Sequence, residues 1–249
     1  MGTPRAAVAA VLFIAVSVAG CGSGPERGSG GPPGSPSPTG TATRITPTPA
    51  PSPTATLPAR FSSEIERIDA ATRKRMRPSY RPGCPVPLSE LRYLRMTYWG
   101  FDDEPHTGEM VVAGDVAEDV VTVFRRLYDA RYPIRRMELV DEYEGSDFES
   151  IEANNTSAFN CRRAEGSTNW SNHAAGRAID INPCQNPYVY ADGHISHPQC
   201  RRYVDRDRES PGMVHGGDVV DRAFRSIGWE WGGRWSGARD YQHFSENGR

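Results

Sequence analysis

The chain has 249 residues and a formal net charge of -2 at pH 7, from 29 Lys and Arg against 31 Asp and Glu. A balance so close to neutral offers no electrostatic footprint for a polyanion, which excludes nucleic acid as a main partner. Gly and Pro are enriched in the first sixty positions, and setting those aside leaves about 190 residues, enough for one domain with a real core.

Residues 1–20 read as a signal sequence. Arg5 supplies the positive start, and 7–18 is an apolar run too short for a spanning helix. It closes on Val18-Ala19-Gly20-Cys21, which resembles a bacterial lipobox. That resemblance implies cleavage before Cys21, lipidation of its sulfur, and a lipid anchor on the outer face of the cytoplasmic membrane. An ordinary secretory signal that leaves Cys21 free is the alternative. Residues 21–60 are rich in Pro, Ser, Thr and Gly. Such a stretch buries too little apolar area to offset its ordering entropy, so it is expected to be a disordered linker with a reach of about 100 Å.

A folded domain is expected over 61–249. Ser63-Glu64-Ile65-Glu66 fits a capping box, and Ile65, Ile68 and Ala71 keep helical spacing up to Pro78, which predicts a first helix. Residues 80–87 read as loop. Alternation over 91–99 predicts a strand, followed by a turn-rich stretch and a short strand at 109–113. Asp115 to Glu118 reads as the cap of a helix with Val120, Val123, Phe124 and Leu127 on its apolar face, closed by Pro133. A strand is predicted at 134–140, then an acidic exposed loop over 141–155, then strands at 156–161 and 177–181. A long loop follows over 182–210. Asp218 caps a helix ended by Gly228, 229–231 is strand-like, and Gly232 to Gly237 turns back into a strand at 240–243. The mixture lacks regular βαβ alternation, so the fold class is α+β, a single domain with a small antiparallel sheet flanked by helices.

Of the five cysteines, Cys21 lies in the leader and four remain in the domain. For an exported protein this points to two disulfides. Three connectivities exist; the expected one joins Cys184 to Cys200 across a short loop and ties Cys84 to Cys161. Free or metal-binding thiols are the alternative, although no C-x-x-C spacing is present.

The chemistry gathers at two places. Ser171-Asn172-His173-Ala174-Ala175-Gly176-Arg177-Ala178-Ile179-Asp180 sets a His and an Asp seven apart, and Asp240-Tyr241-Gln242-His243 adds an acid and a second His. Two imidazoles and a carboxylate form a known ligand set for catalytic zinc, and a further acid is then free to act as base. On a straight strand an odd offset puts His173 and Asp180 on opposite faces, so a bend at Gly176 is required. Ile179 and Ile181 then face the core.

Ser171-x-His173-x-x-Gly176-x-Ala178-x-Asp180 with Asp240-x-x-His243-Phe244 resembles the M15 zinc peptidases, which cut peptidoglycan stem peptides. The resemblance spans about 84–244. It implies a Hedgehog/DD-peptidase-like fold, zinc on His173, Asp180 and His243, Asp240 as catalytic base, and Arg162 polarising the scissile carbonyl; on a strand the adjacent Arg163 would point the other way, and which of the two faces the site stays open. It implies hydrolysis by a metal-activated water, of D-alanyl-D-alanine or of L-alanyl-D-glutamate bonds. Asp rather than Glu at 240, with Phe244, leans toward the latter branch. A zinc-containing module that binds wall peptide without cutting is the alternative.

Ser171, beside the first ligand, and Trp235, in a Gly-rich loop before Asp240, are candidate substrate contacts; a local turn cap is the competing role for Ser171. His106, His194, His197 and His215 read as surface or rim residues, and 201–208 as a solvated mixed-charge face. No protein partner is implied.

Overall fold

In the computed structural model, which describes residues 60–249, the alternating run Leu91–Trp99 is the middle strand of an antiparallel sheet. The leader, Cys21 and the linker expected before residue 60 lie outside the described residues. β1 (Ser63–Arg67) and β3 (Pro105–Ala113) flank β2 (Leu91–Trp99), with Leu94 opposite Ile65 on one side and Met110 on the other. The period-2 pattern of a strand separates its faces. Leu94 and Met96 join the main core, whereas Leu91 and Tyr93 pack with Met76, Leu139 and Phe159 on the other side. Both faces of the strand are therefore covered.

The first helix expected from Ser63 is not there. The capping-box residues form β1, whose Glu64 and Glu66 are exposed, and the helix is α1 (Ala70–Arg75), capped by Asp69 accepting from the Thr72 amide at 2.7 Å. Pairing along the edge of β2 outweighs the weak local preference of five residues for a helix. α2 (Ala117–Asp129) follows the reading closely and buries Val120, Val123, Phe124 and Leu127. Its cap differs: Val116 holds the N-cap position without a side-chain bond, and Asp115 pairs with Arg177 instead.

Two more expectations fail between 134 and 161. The stretches at 134–140 and 156–161 are extended, but neither forms a ladder strand; Met137 O accepts from the Glu109 amide, and Ser157 exchanges both bonds with Asp180. The acidic segment is not a plain loop. It contains a 3-10 turn at Val140–Tyr143 and α3 (Asp147–Glu152), capped by Ser146.

The site is carried by the C-terminal half. β4 (Ala178–Asp180), β8 (His243–Ser245) and β6 (Glu230–Trp231) make a second antiparallel sheet in the order β4-β8-β6, and β5 (Tyr188–Val189) pairs with β7 (Arg239–Asp240). The strand expected at 240–243 is thus two strands in different sheets, parted by Tyr241 and Gln242. α4 (Val219–Arg225), capped by Asp218, packs Phe224 on fully buried Phe244 at 4.1 Å between ring centres. Burial of one such ring stabilises by about 1.5–3 kcal/mol, which fixes β8 in depth.

Both disulfides form as expected. Cys84–Cys161 has a Cα separation of 5.8 Å and Cys184–Cys200 one of 5.0 Å. Residues 201–208 are not simply solvated: half-buried Arg206 donates to the main-chain oxygens of Gln185 and Val214.

Candidate metal centre

His173 sits in a 3-10 turn, Asn172–Ala175, whose N-cap Ser171 accepts from the His173 amide at 3.3 Å. Gly176 ends the turn with φ +68, and a Cβ there would lie 2.6 Å from the Ala113 amide nitrogen. This reversal is the bend that brings His173 back over β4. Ala178 and Asp180 share one face of that strand, and Ile179 and Ile181 are fully buried. Antiparallel pairing then sets Asp180 opposite His243.

The three side chains converge. His173 Nε2 lies 3.2 Å from Asp180 Oδ2, His243 Nδ1 lies 3.1 Å from Asp180 Oδ1, and the two ring nitrogens are 3.3 Å apart. One ligand atom from each residue falls within 4.8 Å of the others, and all three residues are buried. The opposite ring nitrogens face oxygens of the main chain: His173 Nδ1 lies 2.6 Å from Ala158 O, and His243 Nε2 lies 3.1 Å from Arg249 O. With a proton on each far nitrogen, His173 Nε2 and His243 Nδ1 turn lone pairs toward the Asp180 carboxylate, and the three groups could hold one metal ion. This donor set fits zinc.

In the metal-free protein a proton on His173 plays the cation's part. Burial alone would raise the Asp180 carboxyl, but the His173 and His243 imidazoles outweigh it and hold Asp180 well below the usual carboxylate range. Burial pulls His173 down, and Asp180 more than reverses this.

These residues open on a cavity of about 690 Å³ that Asp240, Arg162, Ser171 and Trp235 also line. Asp240 is 9% exposed, and its Oδ1 is buried with no hydrogen-bond partner. Burial pushes its carboxyl up to about 7, against the opposing pull of His243. Arg162 pairs with Asp147 at 2.9 Å and keeps Nε buried and unpartnered. Arg163, expected to point the other way, lines the same cavity, because no strand alternation separates it from Arg162; its guanidinium lies 3.6 Å from the centre of the Trp170 ring. The Trp235 ring centre is 5.7 Å from that of His243.

Two contributors had not been singled out, and a third, His197, had been read only as a surface or rim residue. Asp147 holds Arg162 in place, and its position three residues before Ser150 carried no chemical signal. Gln242 is buried with Oε1 unpartnered at the cavity, although in Asp-x-x-His it counts as a spacer. His197 is buried beside Glu152 at 2.7 Å and lines the cavity, so it is a wall residue rather than an exposed one. His106 and His194 are exposed and pair with Asp102 and Asp192.

Residues 165–246 match the M15 peptidase family model described as D-alanyl-D-alanine carboxypeptidase. That segment contains His173, Asp180, Asp240 and His243 and begins just after Arg162. No curated protein and no solved structure matches the chain.

Proposed function

We propose that this chain, which matches the M15 peptidase model over residues 165–246, is an M15 zinc metallopeptidase that hydrolyses a peptide bond in the D-alanine-containing stem peptides of peptidoglycan. One observation carries the reading: one nitrogen each from His173 and His243 and the Asp180 carboxylate face one point, in the cavity that buried Asp240 also lines.

His173, Asp180 and His243 hold the metal, and a zinc bound there supplies Lewis acidity and an acidified water. The residues of the chain do the rest. Asp240, buried beside the ligands, takes the proton of the attacking water and delivers it to the leaving amine. Asp reaches less far than Glu by one methylene, and the β7–β8 turn sets its main chain close to the ligands. Arg162, held by Asp147, donates to the carbonyl oxygen as charge builds there. Ser171 shapes the turn under His173, and Trp235 covers one wall of the substrate cavity. Cleavage before Cys21 and its lipidation place the domain outside the cytoplasmic membrane, at the end of a tether that reaches the wall.

Incubation of purified protein with muropeptides, read by mass spectrometry with and without a chelator, tests the proposal. Loss of terminal D-alanine marks a carboxypeptidase, and cleavage after L-alanine marks the endopeptidase. Binding without any product, from zinc-loaded protein, overturns the hydrolytic reading.

A further inference from the structure

Gln242 stands between Asp240 and His243, and the main chain around it is fixed from three sides. The Tyr241 amide donates to Pro187 O at 3.4 Å, Tyr241 O accepts from Trp231 Nε1 at 2.8 Å, and Gln242 O accepts from the Ile181 amide at 3.0 Å. Tyr241 sends its ring to Trp231, 5.9 Å between centres, and to the Arg206 guanidinium at 4.3 Å. Gln242 instead lines the cavity together with Asp240 and Arg162. It is 4% exposed, and its Oε1 is buried with no hydrogen-bond partner. A buried polar atom left unpaired is costly, so native folds keep few of them, and each asks for a reason.

We propose that Gln242 is a substrate-binding residue, whose side-chain amide hydrogen-bonds a main-chain amide of the peptide bound in the cavity. This deepens the reading above and rests on its peptide substrate. A Gln side chain carries an acceptor oxygen and a donor nitrogen in one plane, which matches the N–H and C=O of a peptide unit. The buried unpaired atom accepts, so the ligand must bring a donor. Asp180 and Asp240 line the same cavity and disfavour an anion there, whereas a neutral N–H is present on every peptide unit that does not involve proline. Because the main chain is already fixed, the amide is in place before the peptide arrives, and little ordering entropy is lost on binding. Removing the amide weakens the bound complex and at the same time relieves the empty fold of an unpaired group. Affinity and stability therefore move in opposite directions, which a residue that only supports the fold does not produce.

Gln242→Met, which conserves shape without the amide, and Gln242→Asn, which withdraws the amide by one methylene, test this. The probe is a peptidoglycan stem pentapeptide with its amines acetylated, so that amide N–H groups remain and no ammonium does. Calorimetry in chelator reads its binding without turnover, zinc-loaded protein gives kcat and KM, and thermal unfolding reads stability. The proposal predicts that Gln242→Met binds the peptide about 3–10-fold more weakly, raises KM by a similar factor with kcat nearly unchanged, and melts at or above the native temperature. Gln242→Asn also binds more weakly. Unchanged affinity in the folded variants overturns the proposal, as does a loss of affinity in Gln242→Met that comes with a lower melting temperature. If Gln242→Met does not fold, the affinity of Gln242→Asn decides. A native chain that binds the peptide more tightly than its variants but cuts nothing overturns the hydrolytic reading and leaves this assignment standing; a native chain that does not bind the peptide overturns both.

Discussion

Asp240 is the residue on which catalysis and stability pull in opposite directions. Its burial without a partner for Oδ1 raises its carboxyl to about 7, which suits a base at neutral pH but makes the ionised form costly to keep inside. Asp240→Asn is expected to lower stem-peptide cleavage by about 10²–10⁴-fold while leaving metal content intact; a variant with native turnover would remove Asp240 from the mechanism. The sign of the stability effect follows from linkage. Between about pH 4 and pH 7 the unfolded carboxyl is ionised while the folded one keeps its proton, so the metal-free protein loses stability as pH rises through that window. The unfolding free energy of metal-free Asp240→Asn should therefore gain on that of the native protein from acid to alkaline pH, by an amount on the order of a few kcal/mol, read by denaturant unfolding. A difference that stays flat with pH would show that Asp240 is not held protonated. His173, Asp180, Asp240 and His243 were legible in the sequence because the chemistry resides in their side-chain types. Ala158 O was not, because every residue carries a carbonyl and only the fold selects which one meets an imidazole.

At the scale of elements, the turn from Asn172 to Gly176 decides whether His173 reaches the site. Gly176→Ala puts a Cβ 2.6 Å from the Ala113 nitrogen at φ +68, and neither main chain has room to yield. Denaturant unfolding should show a loss of about 1–3 kcal/mol, with weaker metal binding as the ring is displaced; a neutral substitution would mean that the bend is not tightly held. This bend was readable, since an odd His–Asp offset on a strand demands one. β2, α2 and α4 were equally legible from periodicity. The failures share a cause. Ser63–Arg67 satisfies both a capping box and an edge strand, and only pairing with β2 settles the matter. Residues 134–140 alternate like a strand but pass the sheet with isolated bonds. Asp240 to His243 looks continuous, yet Asp240 pairs with Tyr188 and His243 with Asp180. That split lets an offset of three point both side chains into one cavity.

For the molecule as a whole, the two disulfides bracket the site. Cys84–Cys161 closes a separation of 77 residues and anchors the segment that presents Ala158 and Arg162; Cys184–Cys200 closes 16 and pins the loop that forms the cavity wall. On chain-entropy grounds these contribute about 4.5 and about 3 kcal/mol. Replacing both members of a pair by Ser should give a larger drop in melting temperature for the first, and the reverse order would contradict this account. The expected tether and lipid anchor rest on composition and a leader motif outside the described residues, whereas the candidate metal site comes from the convergence of segments distant in sequence. X-ray diffraction at the zinc absorption edge tests that convergence most directly. The account predicts one anomalous peak per chain at about 2.0–2.2 Å from His173 Nε2, His243 Nδ1 and an Asp180 oxygen. The absence of a peak there in zinc-soaked crystals, or a zinc held by other residues, would contradict it.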